Sequence, residues 1–150
     1  MAFPLIPQPK PEHHKIAKHK KRAAIQGDRR DDKAKAKARD GHRCRWPKFD
    51  HDTPNHVCIG PLESAHKVAI GMGGDKTGER THKRDLMTCC RFIHQDSPDA
   101  LERHGRSWEG LTDEQADGPV IFSRRVQQPD GSWAWVEIAR ERRIGMLEHV

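Results

Sequence analysis

Two short stretches of this chain hold residues whose types and spacing could do chemistry. The first is Leu62-Glu63-Ser64-Ala65-His66; the second, past a glycine-rich segment, runs from Asp85-Leu86 through Cys89-Cys90 to Ile93-His94. Hydrolysing a phosphodiester near neutral pH needs a base to deprotonate water. It also needs a cation to stabilise the charge growing on the phosphate and the leaving oxygen. Histidine titrates in the right range for the base. A carboxylate and a second histidine suit a divalent ion. Cys90 and His94, at i and i+4, would share one face of a helix.

Cys44, Cys58, Cys89 and Cys90 accompany eleven histidines. The apolar start Phe3–Ile6 is interrupted by Pro4 and gives way to Pro- and Lys-rich sequence, so no signal peptide is expected, and no transmembrane segment either. A cytoplasmic, reducing setting follows, in which clustered Cys and His read better as metal ligands than as disulfides. Leu, Ile, Val and Phe make up 25 of the 150 residues. That is low for a self-sufficient core and points to a staple, for which a metal is the natural candidate. The net charge of +6 is concentrated at the start of the chain: residues 1–40 carry 12 Lys/Arg against 5 Asp/Glu, the remainder 16 against 17. Such basic arms bind polyphosphate surfaces in a salt-dependent way, or simply keep a protein soluble.

The elements that would position these residues follow from pattern and punctuation. Residues 1–30 have no apolar period and are expected to be a disordered basic arm. From about Asp31 a run of Lys, Ala and Arg ending at Gly41 predicts a short helix with a basic face. Residues 44–58 read as a loop. Leu62–Ile70 reads as a strand, Gly71–Gly78 as a loop because its glycines are costly in regular structure, Leu86–Cys89 as a second strand and Cys90–Gln95 as a helix ending before Pro98. A β-hairpin is predicted from Val120–Val126 and Trp133–Ala139 around Pro129-Asp130-Gly131. Trp133 and Trp135 would share one face, with Ala134, Val136 and Ile138 on the other. Covering the hairpin is the favoured role for the tryptophans, ahead of base stacking. Arg140–Val150 reads as a short helix.

These motifs, in this order, resemble the HNH (ββα-metal, His-Me finger) endonuclease family, especially its small stand-alone phage and bacterial members. Arg39-Asp40-Gly41-His42-Arg43-Cys44 resembles the family's Arg-Asp-Gly-x-x-Cys lead into a cysteine knuckle. His66 matches the histidine that ends the first strand, Asp85-Leu86 stands where Asn-Leu is expected, and Cys90 and His94 fall at the family's spacing. The resemblance covers roughly residues 39–96. It implies a ββα-metal core, which with the elements read above gives an α+β fold of three parts: a basic arm over 1–30, the nuclease core with its leading helix over 31–98, and a C-terminal extension of hairpin and helix over 99–150. It also implies cleavage of DNA with little sequence preference. Carried over residue by residue, His66 would be the general base, His94 a ligand of the catalytic ion (Mg2+, Mn2+ or Ni2+), and Asp85 a further ligand or the group that orients the base. Lys67, Arg84 and Arg91 are candidate DNA-backbone contacts.

The chain departs from the family at two places. Many members carry an acidic or histidine ligand immediately before the base, where this chain has Ala65. The paired Cys-x-x-Cys pattern is also broken, since Pro47 and Ile93 stand at the second positions. A structural Zn2+ would then draw on Cys44, Cys58 and Cys90, with His51, His56 or Cys89 as the fourth ligand. Three functions compete on these grounds: a metal-dependent DNA endonuclease, a non-catalytic zinc-stapled DNA-binding module, and an adaptor that contacts phage DNA-packaging proteins.

Overall fold

The computed structural model describes residues 12–67 and 81–148, with side chains from Lys18 onward. It opens with one long helix, α1 (Glu12–Arg39). The helix was expected only from about Asp31, with disordered chain before it; it is helical from Glu12. Ala, Lys, Arg and Gln have high helix propensity, and a polar helix needs no continuous apolar stripe when only its last turns are packed. Those last turns bury Ala36, whereas residues 18–30 are almost all exposed. The first eleven residues of the expected arm lie outside the described residues.

The helix stops at Asp40-Gly41. The His42 N–H donates to Lys37 O at 2.8 Å and the Gly41 N–H to Ala38 O at 3.0 Å, with Gly41 at φ 65°. This pair of bonds is a Schellman cap, and it requires a residue that tolerates the left-handed region.

Next comes an antiparallel pair, β1 (Leu62–His66) and β2 (Leu86–Cys90), with Leu62 opposite Cys90 and His66 opposite Leu86. The expected strand to Ile70 is described only as far as His66; Val68–Ile70 and the Gly71–Gly78 loop lie outside the described residues. β2 is buried throughout, because α1 lies along it while Met87 and Cys89 join the core. A helical turn, Phe92–Asp96, follows immediately and ends at Ser97 in extended backbone. That conformation is the one a residue before proline adopts.

The rest of the chain forms an antiparallel sheet in the order β3 (Arg106–Gly110), β4 (Val120–Gln127), β5 (Trp133–Arg143), β6 (Met146–Leu147). The expected hairpin is present as β4–β5, turning at Gly131 with φ 84°. The expected C-terminal helix is absent. β5 instead runs on to Arg143 and turns at Gly145 (φ 75°) into β6, because a register shift in its pairing with β4, between Glu137 and Ala139, turns Ala139 and Glu141 onto the buried face. Trp108, Val120, Phe122 and Ala139 of this sheet form one core with Trp46, Ala65, Met87, Cys89 and Ile93. The Trp46 ring meets Phe122 edge-on, at 5.0 Å between centroids and 76° between planes, a favoured aromatic arrangement. No described helix is long and apolar enough to cross a membrane.

Candidate metal centre

Cys44, His51, Cys58 and Cys90 converge so that one ligand atom from each lies within 4.8 Å of all the others; among the described residues no other His, Cys, Asp or Glu set does so. His51 Nε2 stands 3.6 Å from Cys44 Sγ and 3.5 Å from Cys58 Sγ. A tetrahedral zinc bound at ~2.3 Å to sulfur and ~2.0–2.1 Å to nitrogen sets such atoms about 3.5 Å apart. The donor set therefore fits a structural Zn2+ in both chemistry and spacing.

Each ligand is delivered by a separate device. Cys44 follows the Schellman cap, and the neighbouring Arg45 N–H donates to Thr88 O on β2 at 2.9 Å, which brings the knuckle beside Cys90. His51 lies between Asp50 and Asp52. Asp50 accepts from Trp46 Nε1 (2.8 Å), Arg106 Nε (2.7 Å) and Arg124 Nη1 (2.8 Å); Asp52 accepts from Arg106 (3.0 Å) and Arg124 (2.7 Å). β3 and β4 thus grip the loop on both sides of the ligand. The His51 Nδ1–H donates to Pro47 O at 2.9 Å, which leaves Nε2 for the ion. This outer hydrogen bond is the usual partner of a zinc-bound histidine. Past Cys58 the chain crosses the start of the helical turn at Gly60, where φ is 78° and a Cβ would lie 2.8 Å from that of Arg91. Only glycine fits there. Cys90, expected to open the helix and share a face with His94, is instead the last residue of β2, held there by pairing with Leu62, and only Phe92–Asp96 form the turn that carries His94.

Thiol–thiol hydrogen bonds, and burial after them, favour the protonated forms of Cys44 and Cys90 until an ion displaces the protons. Cys44 is pushed well above its ordinary value, first by its hydrogen bond with Cys89 and then by desolvation, with Cys90 pulling the other way. Cys90 is pushed up to about 11 by its hydrogen bond with Cys44 and by desolvation, against the pull of His51. Zn2+ with three thiolates and a neutral imidazole carries one net negative charge. Lys48 offsets it: its ammonium donates to Cys58 Sγ at 2.6 Å, and that bond raises its own pKa.

The chain matches no family model, no curated protein and no solved structure.

Of the fourth ligands the sequence offered, His51 takes the place; His56 is exposed and Cys89 is buried in the core outside the cluster. His51 stands seven residues from Cys44 and seven from Cys58, a spacing that by itself is no zinc-ligand signature. His66 ends β1, its Nε2 3.2 Å from Thr81 Oγ1. Asp85 sits one rung away, where its carbonyl accepts the Lys67 N–H at 2.9 Å. His94, on the helical turn, instead faces β1 three residues before His66: its Nδ1 is 2.6 Å from Glu63 Oε2 and its Nε2 3.2 Å from Glu102 Oε1. His66 and Asp85 are therefore brought together, while Asp85 and His94 do not share a ligand cluster among the described residues. Glu63 and Glu102 escaped the sequence reading, although Glu63 lies two residues before Ala65 and so on the same strand face. Of the candidate DNA contacts, Lys67 donates to Gln115 Oε1 at 2.6 Å. Arg84 is largely exposed, 3.9 Å from Asp85, and Arg91 lies between Glu63 (3.9 Å) and Asp96 (3.4 Å).

Proposed function

We propose that the chain is a metal-dependent DNA endonuclease of the HNH type, stapled by a structural zinc at Cys44, His51, Cys58 and Cys90. The observation that carries this reading is the β1–β2 pair followed by a helical turn, with His66 at the strand end beside Asp85 and His94 on the turn. His66 takes a proton from the attacking water, and the Asp85 carbonyl holds the backbone just beyond it through the Lys67 N–H. A divalent ion, when bound, supplies stabilisation of charge on the phosphate and the leaving oxygen. The residues that suit it are His94 and Glu63, an imidazole nitrogen and a carboxylate, a donor pair within the range of Mn2+ and Ni2+. In this reading Glu63 takes over the ligand role for which Ala65 has no donor atom. The exposed Lys and Arg of α1 between Lys18 and Arg30 provide a surface for the DNA backbone.

The second reading, a zinc-stapled DNA-binding module without catalysis, is favoured by Ala65 itself, which is fully buried in the core, and by the separation of Asp85 from His94. Nicking of supercoiled plasmid with Mg2+, Mn2+ or Ni2+, by the wild type and by His66→Ala, separates the two. The expected result is nicking by the wild type and a drop of at least ~100-fold in the variant, the usual worth of a general base. Equal nicking by both would remove His66 from the mechanism. Plasmid retardation without nicking by either protein would favour the binding module.

A further inference from the structure

Trp133 and Trp135 are 54% and 52% exposed, unlike the buried Trp46 and Trp108. As alternate residues of β5 they stand on one face, about 6.7 Å apart along the strand. The same face carries their cross-strand partners, with Gln127 opposite Trp133 and Arg125 opposite Trp135. The Arg125 guanidinium lies over the Trp133 ring, 5.3 Å from its centroid, a cation–π contact that holds the side chain upright beside the second indole. The opposite face of the sheet meets the core at Phe122 and Ala139, past the register shift, whereas at the level of the tryptophans it carries Val126 and Val136, 40% and 41% exposed, so this part of the hairpin projects beyond the core. Nothing in the hydrophobic core therefore calls for indoles on this outer side.

From this arrangement we propose that the outer face of the β4–β5 hairpin is a stacking platform for the unpaired bases of a nucleic-acid strand. Two exposed indoles on a rigid sheet offer π-faces to successive bases, and such stacking is tolerant of sequence. The charge around them suits a polyanion. Arg125 is exposed over the Trp133 ring, and Arg142, on the outer side of β5 past the register shift, is exposed further along the strand. The acid of the same strand face, Glu137, is neutralised by two bonds of 2.9 Å from Arg140. An acidic or purely apolar protein surface would match this mixture less well. The platform is separate from His66 and does not depend on cleavage.

The test uses the full-length, zinc-loaded protein without Mg2+, titrated with a 12-mer of oligothymidylate and, in a second arm, oligouridylate. Saturable quenching of tryptophan fluorescence is expected in at least one arm, weakening as salt rises. Trp133→Ala/Trp135→Ala should abolish the quench and weaken binding tenfold or more, and Trp133→Phe/Trp135→Phe should restore most of the affinity. Arg125→Ala should reduce the slope of log affinity against log salt by about 0.7, the value for one phosphate of a single strand. His66→Ala should bind like the wild type, so a failure of the nuclease reading leaves this result standing. The proposal is overturned if neither strand quenches at saturation, if a duplex of equal length quenches as strongly, or if the double alanine variant binds unchanged. It is also overturned if the wild type sediments as a dimer that the double variant dissociates, since the patch would then be an interface between copies of the chain.

Discussion

The Asp40 carboxylate has no solvent exposure, and it accepts from Arg39 Nε (2.7 Å) and Nη2 (2.8 Å), from Arg45 Nη1 (3.3 Å) and from the Thr88 N–H (2.9 Å). Asp40→Ala removes these bonds at a fully enclosed site and leaves the Thr88 N–H without its acceptor, while Arg45 keeps Glu141 and Arg39 keeps Asp117, and should destabilise the fold by about 1–3 kcal/mol in urea unfolding. Next to it, Gly41→Ala meets no atom within 4 Å of the new Cβ but must hold φ 65°. Its expected cost is therefore purely conformational, about 1 kcal/mol by the same measurement. At this scale the sequence was informative where chemistry is intrinsic to the side chain. Cys44, Cys58 and Cys90 announce themselves as thiols in a chain rich in histidine. Choosing His51 over His56 or Cys89 was beyond it, because that choice depends on Asp50 and Asp52 being held by arginines some fifty to seventy positions later. Similarly, Asp40 reads as part of an Arg-Asp-Gly motif, but the sequence does not reveal that the motif is a structural hub.

Between elements, the arginines of β3 and β4 fasten the ligand loop to the C-terminal sheet. Arg106 and Arg124 lie directly opposite one another across the two strands, an unfavourable pairing that Asp50, Asp52 and Asp99 compensate. Arg106 is fully buried, so Arg106→Ala takes the closest guanidinium from the Asp50 carboxylate, which keeps Arg124 and Trp46 Nε1, and should cost about 1–3 kcal/mol. Because that carboxylate adjoins His51, the variant should also hold zinc less tightly than the wild type in competition with a colorimetric chelator. Unchanged zinc affinity would show that the loop keeps its shape without the sheet. The β4–β5 hairpin was legible because Pro-Asp-Gly fixes a turn locally. β3 was not, since Arg106-Ser107-Trp108-Glu109-Gly110 carries a single large apolar residue and its arginine is buried only through remote acids. The full length of α1 was missed for the opposite reason: its described residues from Lys18 to Arg30 are almost all exposed, so no apolar periodicity marks them. The final strand pair was mistaken for a helix because Glu141, a charged residue, occupies an inward position, where it makes two bonds to Arg45 at 3.0 and 2.7 Å.

For the molecule as a whole, a metal would compensate for the small apolar content. Structural zinc contributes about 10–16 kcal/mol of apparent binding free energy in zinc-finger peptides at neutral pH. A chelator should accordingly lower the melting temperature cooperatively, and elemental analysis should return close to one zinc per chain, falling well below that in Cys58→Ser. Since the Cys44 and Cys90 thiols sit above their ordinary pKa, metal uptake must expel their protons. Zinc affinity should therefore rise with pH across the neutral range, and calorimetry in buffers of different ionisation heat should detect the released protons; a pH-independent affinity would count against thiolate ligation. The order of the ligands along the chain also bears on how the protein is made. Cys44, His51 and Cys58 emerge from the ribosome within one short stretch, whereas Cys90 follows only at the end of β2. An ion captured by the first three would be waiting, with one coordination position open, while the rest of the domain is still being synthesised. Closing that last position would then be the event that commits the hairpin to its register, so that the supply of zinc during translation, as much as the finished fold, would govern the yield of native protein.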